Sequence, residues 1–384
     1  MGNETKYKRL SCAGILCLIY AVASCVSSPS TESFKDDLDF TIAEVEYNYP
    51  GYALLTESEL AEYNVMKAAV RDSVDAGVYT DFDGVGHYLA WFQQRHLRTC
   101  WDAHDHFWKE SVNYAAFFPY KPQKVSCKVD DDTWLIRFPS CSGDPDEDWI
   151  AKSVKDYEAS GCKFLIIDIR GNGGGNDHYY EPYLALLYDT PGVTDGMDLF
   201  YTKRNFKEMK RYAPLWMMKV ALGHDKSRER VMWTLAESFP IQYPTTSTLP
   251  LAAALIIDSE VGSSGEQMVL DIKASSKRTT VYGRENTYGI LDISNCTEEV
   301  LPFSKRSILI PVTVSHRLPD RGIDKTGIAP DVRLDIPYPT ELKDNVDEWV
   351  LWVAEDLKKK ASLDNKIEMR KKNNDPTPVV YRSH

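Results

Sequence analysis

In IIDSEVGSSGEQMVLDIKASS, residues 256 to 276, an apolar strand-like run breaks at Gly262 and a helix is expected to begin near Ser264. Ser263 and Glu266 match a capping box, so Ser263 could simply cap that helix. The same position also offers chemistry. A serine at a strand-to-helix turn lies beside the free N–H groups at the positive end of the helix, where the oxyanion of an acyl-transfer intermediate is stabilised. This is not a G-x-S-x-G elbow, because neither Ser263 nor Ser264 has glycine at both offsets. A serine used in this way needs a base. CWDAHDHFWKE supplies His104 and His106, with Asp102 and Asp105 beside them. Two histidines two apart on a helix point to different faces, and no Cys/His cluster has zinc-like spacing, so no metal is expected.

A second stretch, FLIIDIRGNGGGN (residues 164 to 176), runs from an apolar strand through Asp168 into Gly171, Gly173, Gly174 and Gly175, which allow a sharp turn with exposed N–H groups. A dinucleotide fingerprint fits poorly. The third glycine would fall at Asn176, and DHYYEPY is a poor start for a tightly packed helix. A third stretch, SHRLPDRGIDKTGIAPDVRLD (315 to 335), offers Asp320, Asp324 and Asp331, any of which could orient a histidine or merely cap a turn.

These stretches need elements to hold them. Short apolar runs, TWLIRF, KFLIIDI, LAAALIID, RTTVYG and RSILIPVTV, alternate with helical stretches from about residue 133, the texture of an α/β domain. Before it, residues 36–110 read as a small helical domain, with Thr56 and Glu59 forming a capping box ahead of Leu60, Tyr63, Met66 and Val70. Val346, Trp349, Val350, Val353 and Leu357 share one face of a C-terminal helix within 341–384. The catalytic domain is expected over 111–340. Residues 177 to 248, rich in Tyr, Trp and Met, read as helical core, of which YAPLWMMKV could cover a cleft.

At 384 residues, 43% hydrophobic and 27% charged, the chain can bury a substantial core. A net charge of -12 without a phosphate-neutralising basic cluster makes nucleic acid an unexpected partner. Residues 1–24 read as a signal peptide, with Lys6, Lys8 and Arg9 before a short apolar stretch. Their end, Val22-Ala23-Ser24-Cys25, resembles a bacterial lipobox, which would place a diacylglycerol on Cys25 and leave 25–35 as a flexible tether. Cys100, Cys127, Cys141, Cys162 and Cys296 remain, an odd set that leaves room for one or two disulfides.

In order along the chain, LIIDIRGNGGG, VGSSGEQ, GRENTYGILDISN and GIDKTGIAPDV resemble the tail-specific, or C-terminal processing, family of serine peptidases, in its tricorn-core and retinoid-binding-protein-like branch. The resemblance runs from about Asp102 to Asp335. It implies a crotonase-like β/α spiral core and a metal-independent serine endopeptidase with no cofactor, acting on peptides or proteins. Ser263 would be the nucleophile, His104 the general base, and Asp324, where tricorn-like members carry a Glu, the orienting carboxylate. The N–H groups of Ser264 and of Gly173 or Gly174 would form the oxyanion hole. The Ser-Lys members' lysine is missing between Tyr288 and Ile290, the serine that precedes the histidine in tricorn-like members is Ala103, and too few residues separate Glu110 from Ile166 for a PDZ domain. A lipid-anchored place in the bacterial cell envelope follows, on the periplasmic face of the outer membrane or the cell surface. The alternative on the same fold is a non-catalytic ligand- or peptide-binding lipoprotein.

Overall fold

The computed structural model describes residues 36–100, 123–142, 147–244, 249–339 and 346–372. The leader, Cys25, the tether, and His104 with Asp102, Asp105 and His106 lie outside the described residues. In chain order the main elements are α1 (Asp37–Asn48), α2 (Glu57–Asp75), α3 (Asp81–Ala90), β1 (Arg98–Thr99), β2 (Val125–Lys128), β3 (Thr133–Arg137), α4 (Glu147–Ser160), β4 (Phe164–Asp168) and α5 (Glu181–Leu187). They continue as β5 (Gly192–Thr194), β6 (Met197–Tyr201), α6 (Lys203–Tyr212), α7 (Pro214–Leu222), β7 (Val231–Ala236), β8 (Phe239–Ile241) and β9 (Ala252–Ile257). The last are α8 (Ser264–Ser275), β10 (Thr279–Gly283), β11 (Ile293–Val300), β12 (Ser307–Ser315), β13 (Val332–Arg333) and α9 (Glu348–Lys372).

Two compact units emerge. One comprises Leu199–Trp233, Asn295–Val312 and the described residues of Met1–His104. Its helix α2 starts on the expected capping box, with Glu59 N–H donating to Thr56 Oγ1 at 3.3 Å and Thr56 N–H to Glu59 Oε2 at 2.8 Å. Of the four residues expected on its inner face, Tyr63 and Val70 are buried and Leu60 and Met66 half-buried. Within VMWTLAESF, Val231–Ala236 form strand β7 and Phe239 opens β8, where a helix is expected from sequence: Trp233 and Leu235 are buried between half-exposed neighbours, a period of two that a local count of apolar residues conceals. Trp233 stacks on Tyr201 with ring centroids 3.6 Å apart.

The other unit carries the α/β architecture expected from the sequence. Its six-stranded sheet runs β13-β10-β9-β4-β3-β2, parallel throughout except for β2 at the edge. Strands buried on both faces of such a sheet need unbroken apolar runs, and all five residues of β4 are buried. One face packs Leu165, Ile167, Leu255 and Ile257 against Tyr183, Met268 and Ile272 of the helical layer. The opposite face packs Leu135, Ile166, Ala254 and Ile256 against Trp349, Val350, Val353 and Leu357, the stripe expected of the C-terminal helix. Asp168 pairs with Ile256 in register, so β4 and β9 deliver the glycine-rich loop and the Ser263 turn to the same carboxyl end of the sheet. Ligand sites of open parallel sheets form at that end. The five cysteines from Cys100 to Cys296 are free thiols, so no disulfide joins them.

Candidate active site

Ser263 directly precedes α8 and holds φ 51° and ψ -122°, a backbone conformation that L-residues with a side chain seldom adopt. The expected capping box forms with Glu266, whose Oε2 accepts the Ser263 N–H at 3.2 Å. Glu266 is fully buried. It also accepts from Thr287 Oγ1 at 2.6 Å, Gly289 N–H at 2.6 Å and Ile290 N–H at 3.0 Å. One carboxylate thus staples the segment TYGI to the serine turn. Burial pushes the Glu266 carboxyl up, and these four hydrogen bonds oppose that rise by stabilising the charge.

The glycine loop closes on the same turn from the other side. The backbone O of Asn172 accepts Gly262 N–H at 3.0 Å, and Gly175 O accepts the Ser264 hydroxyl at 2.9 Å. Gly174 has φ 105°, and a Cβ there would lie 2.5 Å from Ser263 Cβ and 2.9 Å from Ser264 N. Gly175 is as constrained, since a Cβ would fall 1.8 Å from Cys141 O. Asn172 holds the loop in shape: buried, it accepts Gly174 N–H and Cys141 N–H on Oδ1 at 3.1 and 3.3 Å, and its Nδ2 donates to Phe138 O at 3.1 Å. The Gly174 N–H is therefore already committed. Among the described residues, the N–H of Gly173 has no acceptor, nor does that of Ser264 at the first position of the helix, where no intrahelical acceptor exists.

Beneath the loop lies a buried ionic cluster. Asp168 Oδ2 accepts Arg137 Nε at 2.8 Å and Arg170 Nη2 at 2.6 Å, while Asp347 Oδ2 accepts Arg170 Nη2 at 2.6 Å and Arg137 Nη2 at 3.2 Å. All four side chains are fully buried. Burial alone would raise the Asp168 pKa, but Arg170 and Arg137 together outweigh it and hold the carboxyl well below the usual range. Asp347 also accepts the N–H groups of Trp349 and Val350 at 3.0 and 3.1 Å, which makes it the cap of α9 as well. Asp258, 2% exposed, takes the Gly171 N–H on both oxygens at 3.1 Å, and burial pushes its pKa up to about 7 against the opposing hydrogen bonds from Gly171 and Glu260.

Asp324 lies in the same unit, with its oxygens taken by the N–H groups of Asp292 and Ile293 at 2.7 and 3.1 Å. Burial first, and then the Asp292 carboxylate, push its pKa up to about 7. Asp292 is buried and accepts Arg317 Nε at 2.8 Å and the N–H groups of Ile323 and Asp324. Arg317 in turn reaches Gln267 Oε1 in α8 at 3.4 Å. The structure thus brings Ser263, Ser264, Gly173 and Gly174 together, and links Asp324 to α8 through Asp292, Arg317 and Gln267. His104 and Cys25 fall outside the described residues. Asp258, Asp292 and Asp347 are not singled out by sequence reasoning, and Glu266 is read there only as the capping partner of Ser263: a lone carboxylate gives no local signal of the distant groups it will bond. A cavity of about 590 Å³ among Tyr157, Tyr188, Tyr243 and Arg278 is lined by none of these site residues.

With this geometry in place, residues 132–334, which include the glycine loop, the Ser263 turn and Asp324, match the family model Peptidase family S41. The chain belongs to peptidase family S41. S41 enzymes are serine-type peptidases, so the serine, rather than a metal or a dinucleotide, is where the family's chemistry is sought. Among solved structures, a chain from Parabacteroides merdae ATCC 43184 assigned as a peptidase is similar at 16% identity and TM-score 0.52, over 79% of this chain and 90% of that one. A lipoprotein from Streptococcus agalactiae is similar at 17% identity and TM-score 0.43, over 80% and 93%. The photosystem II D1 C-terminal processing protease shares 18% identity at TM-score 0.35, over 56% of this chain and 45% of its own. No curated protein matches the chain. The first of these likenesses in fold covers more of this chain than the family match does.

Proposed function

We propose that this S41 member is a lipid-anchored endopeptidase that cleaves peptide bonds through an acyl-enzyme on Ser263. His104 takes the Oγ proton as Oγ attacks the scissile carbonyl carbon, and the oxyanion develops against the N–H groups of Ser264 and Gly173. Collapse of the tetrahedral adduct breaks the C–N bond, and the leaving amine takes the proton back from His104. Water, deprotonated by the same histidine, then hydrolyses the ester. Asp324 orients the histidine. Neither a metal nor a cofactor enters. Cys25 carries the lipid and keeps the enzyme in the cell envelope.

One observation supports this reading above the others: Ser263 sits at φ 51° against Gly174, beside two N–H groups without acceptors among the described residues. Strained backbone of this kind concentrates at reactive positions. The Ser263→Ala variant is expected to lose turnover by a factor on the order of 10⁴ or more while keeping its fold, and His104→Ala to lose a similar factor, because the two act as a unit. Fluorophosphonate labelling, with mass spectrometry of the modified peptide, checks this directly. Label on Ser263 that disappears in both variants is the expected result, and undiminished peptide hydrolysis by Ser263→Ala would overturn it.

A second reading has support of its own. Both Asp324 oxygens already accept backbone N–H groups, which suits a structural carboxylate and therefore a non-catalytic, ligand- or peptide-binding lipoprotein. That protein would bind peptide with Ser263 unlabelled, so the same experiment separates the two.

A further inference from the structure

Helices α6 and α7 present an unusual outer surface. Over Lys203–Leu222 the chain has six Lys or Arg and one Glu, within a sequence of net charge -12. Ala213 and Pro214 break the run into two helices, and each turns only a narrow face inward: Asn205 and Met209 in α6, Met217 and Ala221 in α7. Apart from Lys219 and the half-buried Val220, the rest of α7 is apolar and exposed. Leu215 is 83% exposed, Met218 53% and Leu222 89%, a stripe at i, i+3 and i+7, with Trp216 and Tyr212 exposed at its edge. Soluble helices put such a stripe inward, so this one is inverted. Lys203, Arg204 and Arg211 are engaged by Glu229, Glu299 and Glu208. Lys207, Lys210 and Lys219 are exposed, and form no ion pair among the described residues.

We propose that α6 and α7 form a membrane-docking surface that seats on an anionic lipid bilayer. Exposed leucine, methionine and tryptophan suit the acyl boundary, and unpaired lysines around them suit phosphate headgroups; together they are the signature of a helix lying in the interface. Charge complementarity supports this occupant, because a patch with six Lys or Arg and one Glu faces anionic phosphates. Position favours it too. In the same unit, Thr202 Oγ1 donates to Asn48 Oδ1 at 2.7 Å and Asn205 Nδ2 to Asn48 O at 2.8 Å, which ties the base of α6 to α1, the first described helix. Residues 25–35 span at most about 40 Å when extended. A lipid on Cys25 would therefore deliver this unit to a membrane. The docking surface is independent of the catalytic reading, and acylation of Cys25 assists it without being required.

Amide hydrogen exchange tests this on the full chain floated with phosphatidylcholine vesicles, with and without phosphatidylglycerol. Amides of 207–222 are expected to slow at least tenfold on the anionic vesicles only. Lys207→Gln, Lys210→Gln and Lys219→Gln combined should weaken the docking on the order of a hundredfold at low salt. Leu215→Ser, Met218→Ser and Leu222→Ser combined should abolish the slowing, while exchange in β4 and β9 remains native. Equal rates with and without anionic lipid overturn the proposal. So does slowing that appears without vesicles and grows with protein concentration, which would assign the surface to a second copy.

Discussion

At the scale of single residues, Gly174 and Ser263 constrain each other. An alanine at 174 would need φ 105° and would push its Cβ to 2.5 Å from Ser263 Cβ, so the loop or the serine must move. Gly174→Ala is expected to lose most fluorophosphonate labelling and about 1–3 kcal/mol of stability, read by labelling rate and denaturant midpoint. Asp258 makes a prediction in pH. Its pKa is raised to about 7 in the folded protein, against roughly 3.9 in an unfolded chain. Between these values the folded state holds more protons, so the stabilising contribution is complete below the lower value and is lost as pH rises through the upper one. Asp324 acts in the same direction over the same window. The melting temperature should therefore fall from pH 5 to pH 8, and Asp258→Asn, whose amide oxygen can still accept the Gly171 N–H, should flatten that fall. An unchanged slope in Asp258→Asn would show that other groups set it.

Among elements, α9 matters because Asp347, just before its first turn, neutralises half of a buried four-charge cluster that includes Arg170 at the root of the glycine loop. Removing one member leaves buried charge unpaired, so Asp347→Ala is expected to cost about 3–5 kcal/mol by denaturant titration. Asp347→Asn keeps the cap and a polar partner and should cost less. Glu266→Gln, which exchanges a four-bond carboxylate for an amide with one acceptor oxygen, should loosen TYGI and slow Ser263 labelling more than it lowers the melting temperature. The strands and helix starts that build this arrangement are legible in sequence, because apolar runs bounded by turn residues and a Thr-x-x-Glu box are local signals. So is the serine turn. The staples are not: Glu266 meets Gly289 23 residues on, and Arg170 meets Asp347 177 residues on, and single-chain periodicity holds no record of such pairings. Strand β7 is obscured for a related reason: residues 177 to 248 read as helical core from their Tyr, Trp and Met content, and content does not show the period of two that buries Trp233 and Leu235.

At the scale of the whole molecule, the proposed anchor yields a fractionation test. Cells expressing the chain should carry it in the membrane fraction with a mass shift of one diacylglycerol on Cys25, and Cys25→Ser should lose that mass. If the basic helix pair also docks, the Cys25→Ser protein should still sediment partly with anionic membranes and be released by salt. Stability at this scale also reflects one backbone angle. Glycine adopts φ 51° freely, whereas serine pays a conformational penalty there, so Ser263→Gly should raise the stability of the entire protein by about 1 kcal/mol while removing the hydroxyl. Mutation without selection on that hydroxyl would run downhill toward glycine. Descendants that have abandoned hydrolysis for simple binding are therefore expected to be recognisable by a glycine at this position, and those that retain serine by a measurable instability that only the use of the hydroxyl maintains.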